Sequence, residues 1–522
     1  MNHYDLIVIG GGVNGLVTAS MIGKSGKKVL LLEARGETGG LASSSNFFSG
    51  FKANAIHDSI QWIDPRVLND LKLFDYGLEL EKPDLLKVAL DKNGKHIKIF
   101  QDHNLTADSI SKHSDKDAAN WHNFSEHINK MVFFLEKLYE LTPPKLPNIS
   151  LKEAFSMRSM LSPIRKHGTR GLVDFLRIAP MMMTELMDEW FETELLRAAI
   201  STLGIRHISH GPFAAGTGYN FLHQHVHSNG LIHNANFVKG GTGFFPKALT
   251  KSAKSNGVQI QKNTKVIKIN VNNENCLSVV TDSGENFTAD KFVSSLDPKS
   301  TLLDLVGADN LSPSFQTEVQ NIRYKGNASR IHLLLNKLPE INGINSDEMK
   351  SIFIISPSIE YLEKASDACK YGTLSNNPYI EFTFPTLRNT EISNNDKHIL
   401  SATVQYTPYK IQGKEWSESL KKELQHNVIN ILENYIPHLS SLIDSTNLFT
   451  PLDIEKQFGI NEGSLNHGEM TLDQFLFMRP TMSSAQYKTP IDNLYLCGSS
   501  THPGGGIHGT NGYNASKEIL KS

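Results

Sequence analysis

The sequence predicts an α/β chain built on a Rossmann-like nucleotide-binding sheet that is interrupted by a long α+β insertion. Three observations carry this prediction. A short β-branched run at residues 6–9 opens directly into Gly10-x-Gly12-x-x-Gly15. A second buried run, Leu494-Tyr495-Leu496-Cys497, opens into a glycine-rich turn from Gly498 to Gly509, and a closing helix follows from about Asn511. Between the two lie helical stretches and strands, which one sheet accommodates only if the middle is inserted.

The first glycines have separate physical tasks. Gly10 lets the chain turn tightly out of the strand, Gly12 removes a side chain where a pyrophosphate must approach, and Gly15 lets helix and sheet pack closely. The N–H groups that start the helix then face the diphosphate, aided by the helix dipole. The next apolar run, residues 29–32, ends in Glu33, where a carboxylate accepts from the adenosine ribose hydroxyls. That carboxylate repels a 2′-phosphate, so the pocket suits FAD or NAD better than NADP. Gly39-Gly40 lets a second loop close on the pyrophosphate, a feature that resembles the two-dinucleotide-binding-domain flavoproteins and tips the choice to FAD.

At 522 residues the chain is long enough for two domains and a large core. Its 39% hydrophobic and 20% charged content is that of a soluble globular protein, and a net charge of −2 gives no electrostatic footprint for nucleic acid. Cys276, Cys369 and Cys497 are far apart with no C-x-x-C pair, which argues against a redox dithiol and a disulfide scaffold. The first strand is entered by about residue 4, leaving no room for a leader, and no window reaches the roughly eighteen apolar residues of a membrane span. The expected location is the cytoplasm, with peripheral contact at a membrane left open.

Past the first glycine turns, Phe47, Phe48, Phe51 and Ile56 lead to His57, on a segment that passes near the flavin ring in a flavoprotein. His57 is therefore a candidate to face substrate, against the plainer reading of a hydrogen-bonded structural ring. Residues 86–90 and 96–100 read as strands, and Trp121, Phe124, Ile128, Met131, Leu135 and Leu138 mark an amphipathic helix stopped by Pro143-Pro144. Residues 151–234 read as helical and rich in Met and His, with one helix from about 184 to 200. His223-x-His225-x-His227 would align three rings on a strand, yet no carboxylate or cysteine completes a ligand set, so no metal is expected. Gly240-Gly241-Thr242-Gly243 precedes a helix, and residues 257–260 and 265–271 read as strands. A hairpin turning at Asp282-Ser283-Gly284 follows. Strands at 331–335, 380–384 and 399–406 and a helix at 416–435 complete the insertion. The nucleotide-binding domain is thus assigned to 1–75, 235–300 and 485–522, and a substrate domain to 76–234 and 301–484.

The terminal CGSSTHPGGGIHGTNGYNA is similar to the closing T-H-P-G-x-G motif of the phytoene-desaturase-like FAD oxidoreductases, and the chain resembles that family from end to end. GSLNHGEMTLDQFLFMRP and Asp188-Glu189-Trp190-Phe191-Glu192 look most like the branch labelled pyridine nucleotide-disulfide oxidoreductase domain-containing protein 2, although this chain has no dithiol motif. The resemblance implies that Gly10, Gly12, Val13, Asn14, Gly15, Glu33, Ala34, Arg35, Gly39, Gly40 and Leu41 hold the FAD diphosphate and adenosine, with Val266 at the adenine. By the same likeness Gly498, Gly504, Gly505, Gly506, Ile507, His508 and Gly509 hold the ribityl chain and the pyrimidine side of the flavin. One departure is Ser499, where many relatives carry Asp.

The implied chemistry is hydride transfer from a substrate carbon to flavin N5, leaving a double bond or an imine. His467, His502 and His508 are candidates for proton handling, because imidazole titrates near neutrality, each against a structural reading. Arg479 is a candidate anchor for a polar end of the substrate, or pins its own loop. The substrate expected is a small apolar molecule, carotenoid or isoprenoid in kind. An amine oxidase, with an aromatic pair facing the flavin, and a flavin-containing binding protein without turnover are the alternatives. Oxygen and a quinone both stay open as electron acceptor, and the oligomeric state is not readable.

Overall fold

The computed structural model describes residues 3–49, 51–145, 157–389 and 397–522. Two seven-stranded sheets organise it. In the first, His3–Ile9, Val29–Leu32 and Gln259–Gln261 run parallel in that order. Asn286–Ser294 lies parallel on the other side of His3–Ile9. Its opening residues carry the antiparallel meander of Asn275–Thr281 and Val266–Asn272, and its last three pair with Leu494–Leu496.

The continuous apolar run of the first strand is what a sheet covered on both faces requires. Leu6 and Val8 pack with the helices Val13–Lys24, Phe244–Ser255 and Thr510–Lys521, while Ile7 and Ile9 pack with Leu302, Phe315 and Val319 opposite. A parallel strand buried on both sides ends at a loop between covering layers, so the glycine turns at Gly10 and Gly498 open together at the carboxyl ends of the sheet's parallel strands.

The second sheet runs Ile443–Phe449, Ala328–Leu335, His398–Gln405, Tyr379–Thr383, Ile352–Ile355, Leu85–Ala89, Ile97–Phe100. It is antiparallel except where Ile352–Ile355 meets Leu85–Ala89. Strands from both excursions therefore build one sheet. Helix Glu418–Glu433 covers one face through Leu424, Val428 and Leu432. A helical layer of Asp115–Tyr139, Met183–Trp190, Glu194–Gly204 and Thr217–Gln224 shares a core with Ala89, Ile97, Ile354 and Tyr379. None of the described helices is long and apolar enough to cross a membrane.

Two local expectations differ from the structure. The helix read over 184–200 is two, because the Asp117 carboxylate accepts from Glu192 N and Thr193 N at 2.9 and 2.7 Å and turns the chain between them. The run His223 to His227 ends a helix rather than forming a strand, so its rings diverge. His223 reaches Gly505 O, His225 Nδ1 bonds back to Phe221 O at 2.7 Å, and His227 sits beside Glu136. Among the described residues no group of His, Cys, Asp or Glu could hold a metal, and the three cysteines are free.

Candidate active site

The first glycine turn is shaped by three different constraints. Gly10 has φ +91°, a backbone conformation that side chains resist. A Cβ on Gly15 would lie 2.2 Å from Gly10 O, so only glycine lets the helix start this close to the strand. A Cβ on Gly12 would meet nothing within 4 Å. It would instead project into open space, where the helix N-cap faces a cavity with no side chain capping its N–H groups. Glu33 fixes the rim, its carboxylate accepting from Gly11 N at 2.7 Å and Arg35 N at 2.8 Å. Arg35 lies over the Phe458 ring, 4.9 Å from its centroid.

The second glycine turn meets the first through Asn14, whose Nδ2 donates to Ser499 Oγ at 3.1 Å and whose Oδ1 accepts from Gly512 N at 3.3 Å. Ser499 Oγ in turn donates to Gly506 O at 3.3 Å. A Cβ on Gly498 would lie 2.4 Å from Ser295 O, and one on Gly512 2.2 Å from Asn14 O. Beyond the turn, Thr510 N donates to His508 Nδ1, which leaves the His508 Nε2 hydrogen for Gly505 O, 3.2 Å away in both cases. His223 Nε2 donates to the same carbonyl at 2.8 Å while its Nδ1 accepts from the Tyr139 hydroxyl at 2.7 Å. The Trp62 ring stacks on His508 at 4.0 Å and 7°.

A cavity of about 600 Å³ runs between the two turns. Gly10, Gly12, Val13, Asn14, Glu33, Ala34, Arg35, Gly39, Gly40, Leu41, Val266, Gly506 and Ile507 line it, together with His57 and His467. Gly15, Gly498, Gly504 and Gly509 do not; they shape its walls from behind. A smaller cavity of about 30 Å³ shares His57, Leu465, Gly506 and Ile507 with it and adds Trp62, Arg206, His207, His223, Gly505 and His508.

Two of the sequence candidates have surroundings that favour the structural one of the two readings offered for each. His502 lines neither cavity; it is buried, with Nε2 3.2 Å from Leu138 O, so it is a packing ring and not a proton carrier. Arg479 is also buried away from both cavities, donating to the carbonyls of Glu469, Asn466 and Ser499 at 2.9, 3.0 and 3.0 Å. It pins the glycine turn, the second of the two roles its place in the sequence allows. The premise of titration near neutrality fails as well. Burial pushes His57 and His508 down to about 3, helped by Arg206 beside the one and His223 beside the other. Burial lowers His467 too, against the pull of Asp297. These rings are neutral imidazoles at pH 7.

The sequence reading missed Trp62 and Arg206, which carry no local motif, and gave no site role to Leu465 and Asn466 beside His467. It also missed a buried ion cluster behind the small cavity. Arg206 Nη1 donates to both Glu381 oxygens at 3.0 and 3.2 Å, Lys87 Nζ donates to Glu381 Oε2 at 2.7 Å, and Arg330 pairs with Asp58.

An anionic diphosphate and a flat ring system fit this place. The Gly12 backbone leaves room for the first, uncapped helix N–H groups face it, and the space continues to a second loop of glycines. The fold and the site together define a flavin-dependent oxidoreductase that uses FAD. The chain belongs to the flavin-containing amine oxidoreductase family, whose model matches residues 14–520. It is similar over 99% of its length to pyridine nucleotide-disulfide oxidoreductase domain-containing protein 2 of Rattus norvegicus, at 29% identity and covering 94% of that protein. A component of the limonene dehydrogenase of Castellaniella defragrans is 24% identical over 99% of this chain and 94% of its own. The lycopene-forming phytoene desaturase of Pantoea ananas is 23% identical over 97% and 96%. Among solved structures, an oxidoreductase from Methanosarcina mazei superposes with TM-score 0.61 at 14% identity, covering 99% of this chain and 100% of that one. Cyclohexylamine oxidase from Brevibacterium oxydans gives 0.57 at 12%, covering 100% and 99%.

Proposed function

We propose that this oxidoreductase is a desaturase that dehydrogenates a hydrocarbon-bodied substrate, carotenoid or isoprenoid in kind, and not an amine oxidase. The observation that carries the reading is the lining of the small cavity. At about 30 Å³ the cavity has room for a head group and not for a hydrocarbon body, and its described lining residues include the Arg206 guanidinium, paired with Glu381 behind it, and no carboxylate, so an ammonium group at its mouth meets no anionic lining residue. Nor do they offer an aromatic pair. Trp62 is the one carbocyclic ring there, and it stacks on His508. Two relatives named for limonene and phytoene, both hydrocarbons, agree with this reading.

FAD, when bound, accepts a hydride from a substrate carbon. The chain's part is to hold that carbon still. His57 lines both cavities as a neutral imidazole that burial holds far below neutrality, so it orients substrate and is not a base, while the Trp62–His508 stack forms one wall.

Anaerobic mixing of the FAD-loaded protein with isoprenoids, neutral (limonene, phytoene) and acidic (geranic acid), should bleach the flavin absorbance with at least one of them. Cyclohexylamine and putrescine should leave it oxidised. Bleaching by an amine and by no isoprenoid would overturn the proposal.

A further inference from the structure

The charges behind the small cavity do not balance. Lys87 and Arg206 share one carboxylate, Glu381, whose Oε2 also accepts from the Tyr379 hydroxyl at 3.3 Å. Arg330 and Asp58 pair one to one. Three basic side chains therefore face two carboxylates; burial and the neighbouring Arg206 lower Lys87 while Glu381 holds it charged, and Arg206 is the member with a free face. All five side chains are at least nearly nine-tenths buried. Isolated charge is costly out of water unless a counter-ion meets it.

The surplus has one outlet. Lys87 is fully enclosed, whereas Arg206 lines the small cavity. Beside it stand His57 and His207, ring centroids 5.5 Å apart. His57 is 8% exposed, and no described protein group hydrogen-bonds to its ring nitrogens or to those of His207. Both rings are held neutral by burial and by the Arg206 charge, so each keeps one N–H to donate. A guanidinium and two imidazole donors around a space that opens onto the flavin end of the large cavity form an anion site.

We propose that the substrate carries a carboxylate that docks on Arg206, with His57 and His207 donating to it, while its hydrocarbon body extends toward the flavin. The proposal rests on the desaturase reading above and names the polar end of its substrate.

Geranate, geraniol and geranylamine share one hydrocarbon body and differ only in the head group. Titrated into the FAD-loaded protein and followed by the flavin absorbance, geranate should bind at least about tenfold more tightly than geraniol, with geranylamine weakest. Arg206→Gln should abolish that preference. Glu381→Gln, which enlarges the positive surplus, should tighten geranate several-fold, and His207→Phe should weaken it, so the test survives if the Arg206 variant does not fold. Equal binding of geranate and geraniol, tighter binding of geranylamine, or a folded Arg206→Gln protein that keeps the preference would overturn the proposal. If geraniol binds as well as geranate while isoprenoids still bleach the flavin, this inference falls and the desaturase reading stands. Bleaching by amines alone removes the desaturase reading itself.

Discussion

Asn14 and Ser499, 485 residues apart, are joined by a hydrogen bond of 3.1 Å from Asn14 Nδ2 to Ser499 Oγ. With Asn14 Oδ1 accepting from Gly512 N, this one amide ties the first glycine turn to the last. Asn14→Ala should cost about 1–3 kcal/mol of stability, since it leaves buried groups unpaired. It should also weaken FAD binding, as read by the ratio of flavin to protein absorbance after dialysis.

Gly12→Val separates folding from cofactor uptake. Gly12 has φ −65°, open to any residue, and its Cβ meets nothing. The variant should melt within a few degrees of the apoprotein and carry no flavin. A Gly12→Val protein purified yellow would show that the diphosphate does not lie there.

Gly512→Ala has the opposite profile. Its Cβ would lie 2.2 Å from Asn14 O, so the helices Val13–Lys24 and Thr510–Lys521 must separate. Overpacking of this kind costs about 1–3 kcal/mol. A lowered urea midpoint with unchanged slope would report it.

Arg479 is buried with three carbonyls and, among the described residues, no carboxylate in ion-pair reach. Arg479→Met should destabilise by about 3 kcal/mol or more, because three buried acceptors lose their donor. Arg479→Lys should recover only part of this, as an ammonium does not reproduce the guanidinium fork. Thermal melts of both variants would check the order.

Acid should loosen this protein earlier than carboxylate titration alone would. His57, His502 and His508 fall to about 3 and His223 to about 4 through burial, against 6.5 unfolded. The unfolded chain therefore binds more protons between those values. The stability is complete above about pH 6.5 and is lost as pH falls toward 3, at about 1.4 kcal/mol per unit for each ring. Glu469, pushed up to about 7 by burial, acts in the opposite sense between 4.5 and 7 and offsets one ring. Urea midpoints measured between about pH 7 and 5 should drop, and His502→Gln should flatten the slope by about one proton.

What the sequence revealed and what it hid divide by range. The turn at Gly10 to Gly15, the acid at Glu33 and the turn after Gly498 are legible because strand, turn and helix are contiguous and each glycine answers a local contact. The break after Trp190 was hidden because its cause, Asp117, lies more than seventy residues away. The divergence of His223, His225 and His227 was hidden because a helix end and a strand share the same spacing over five residues. Trp62, the Arg206–His207 pair and Leu465 come from three separate segments and meet only through the tertiary fold. Arg479 stayed open between two roles for a related reason: a guanidinium near a glycine turn is the same in sequence whether it points at a ligand or at backbone carbonyls.

The crossing of the first and last described helices at Gly512 makes the cradle a joint product of two distant stretches of chain. Half of the nucleotide cradle is built around Asn14 and the other half seats on it through Gly512, 498 positions further along the chain, so neither half is complete without the other.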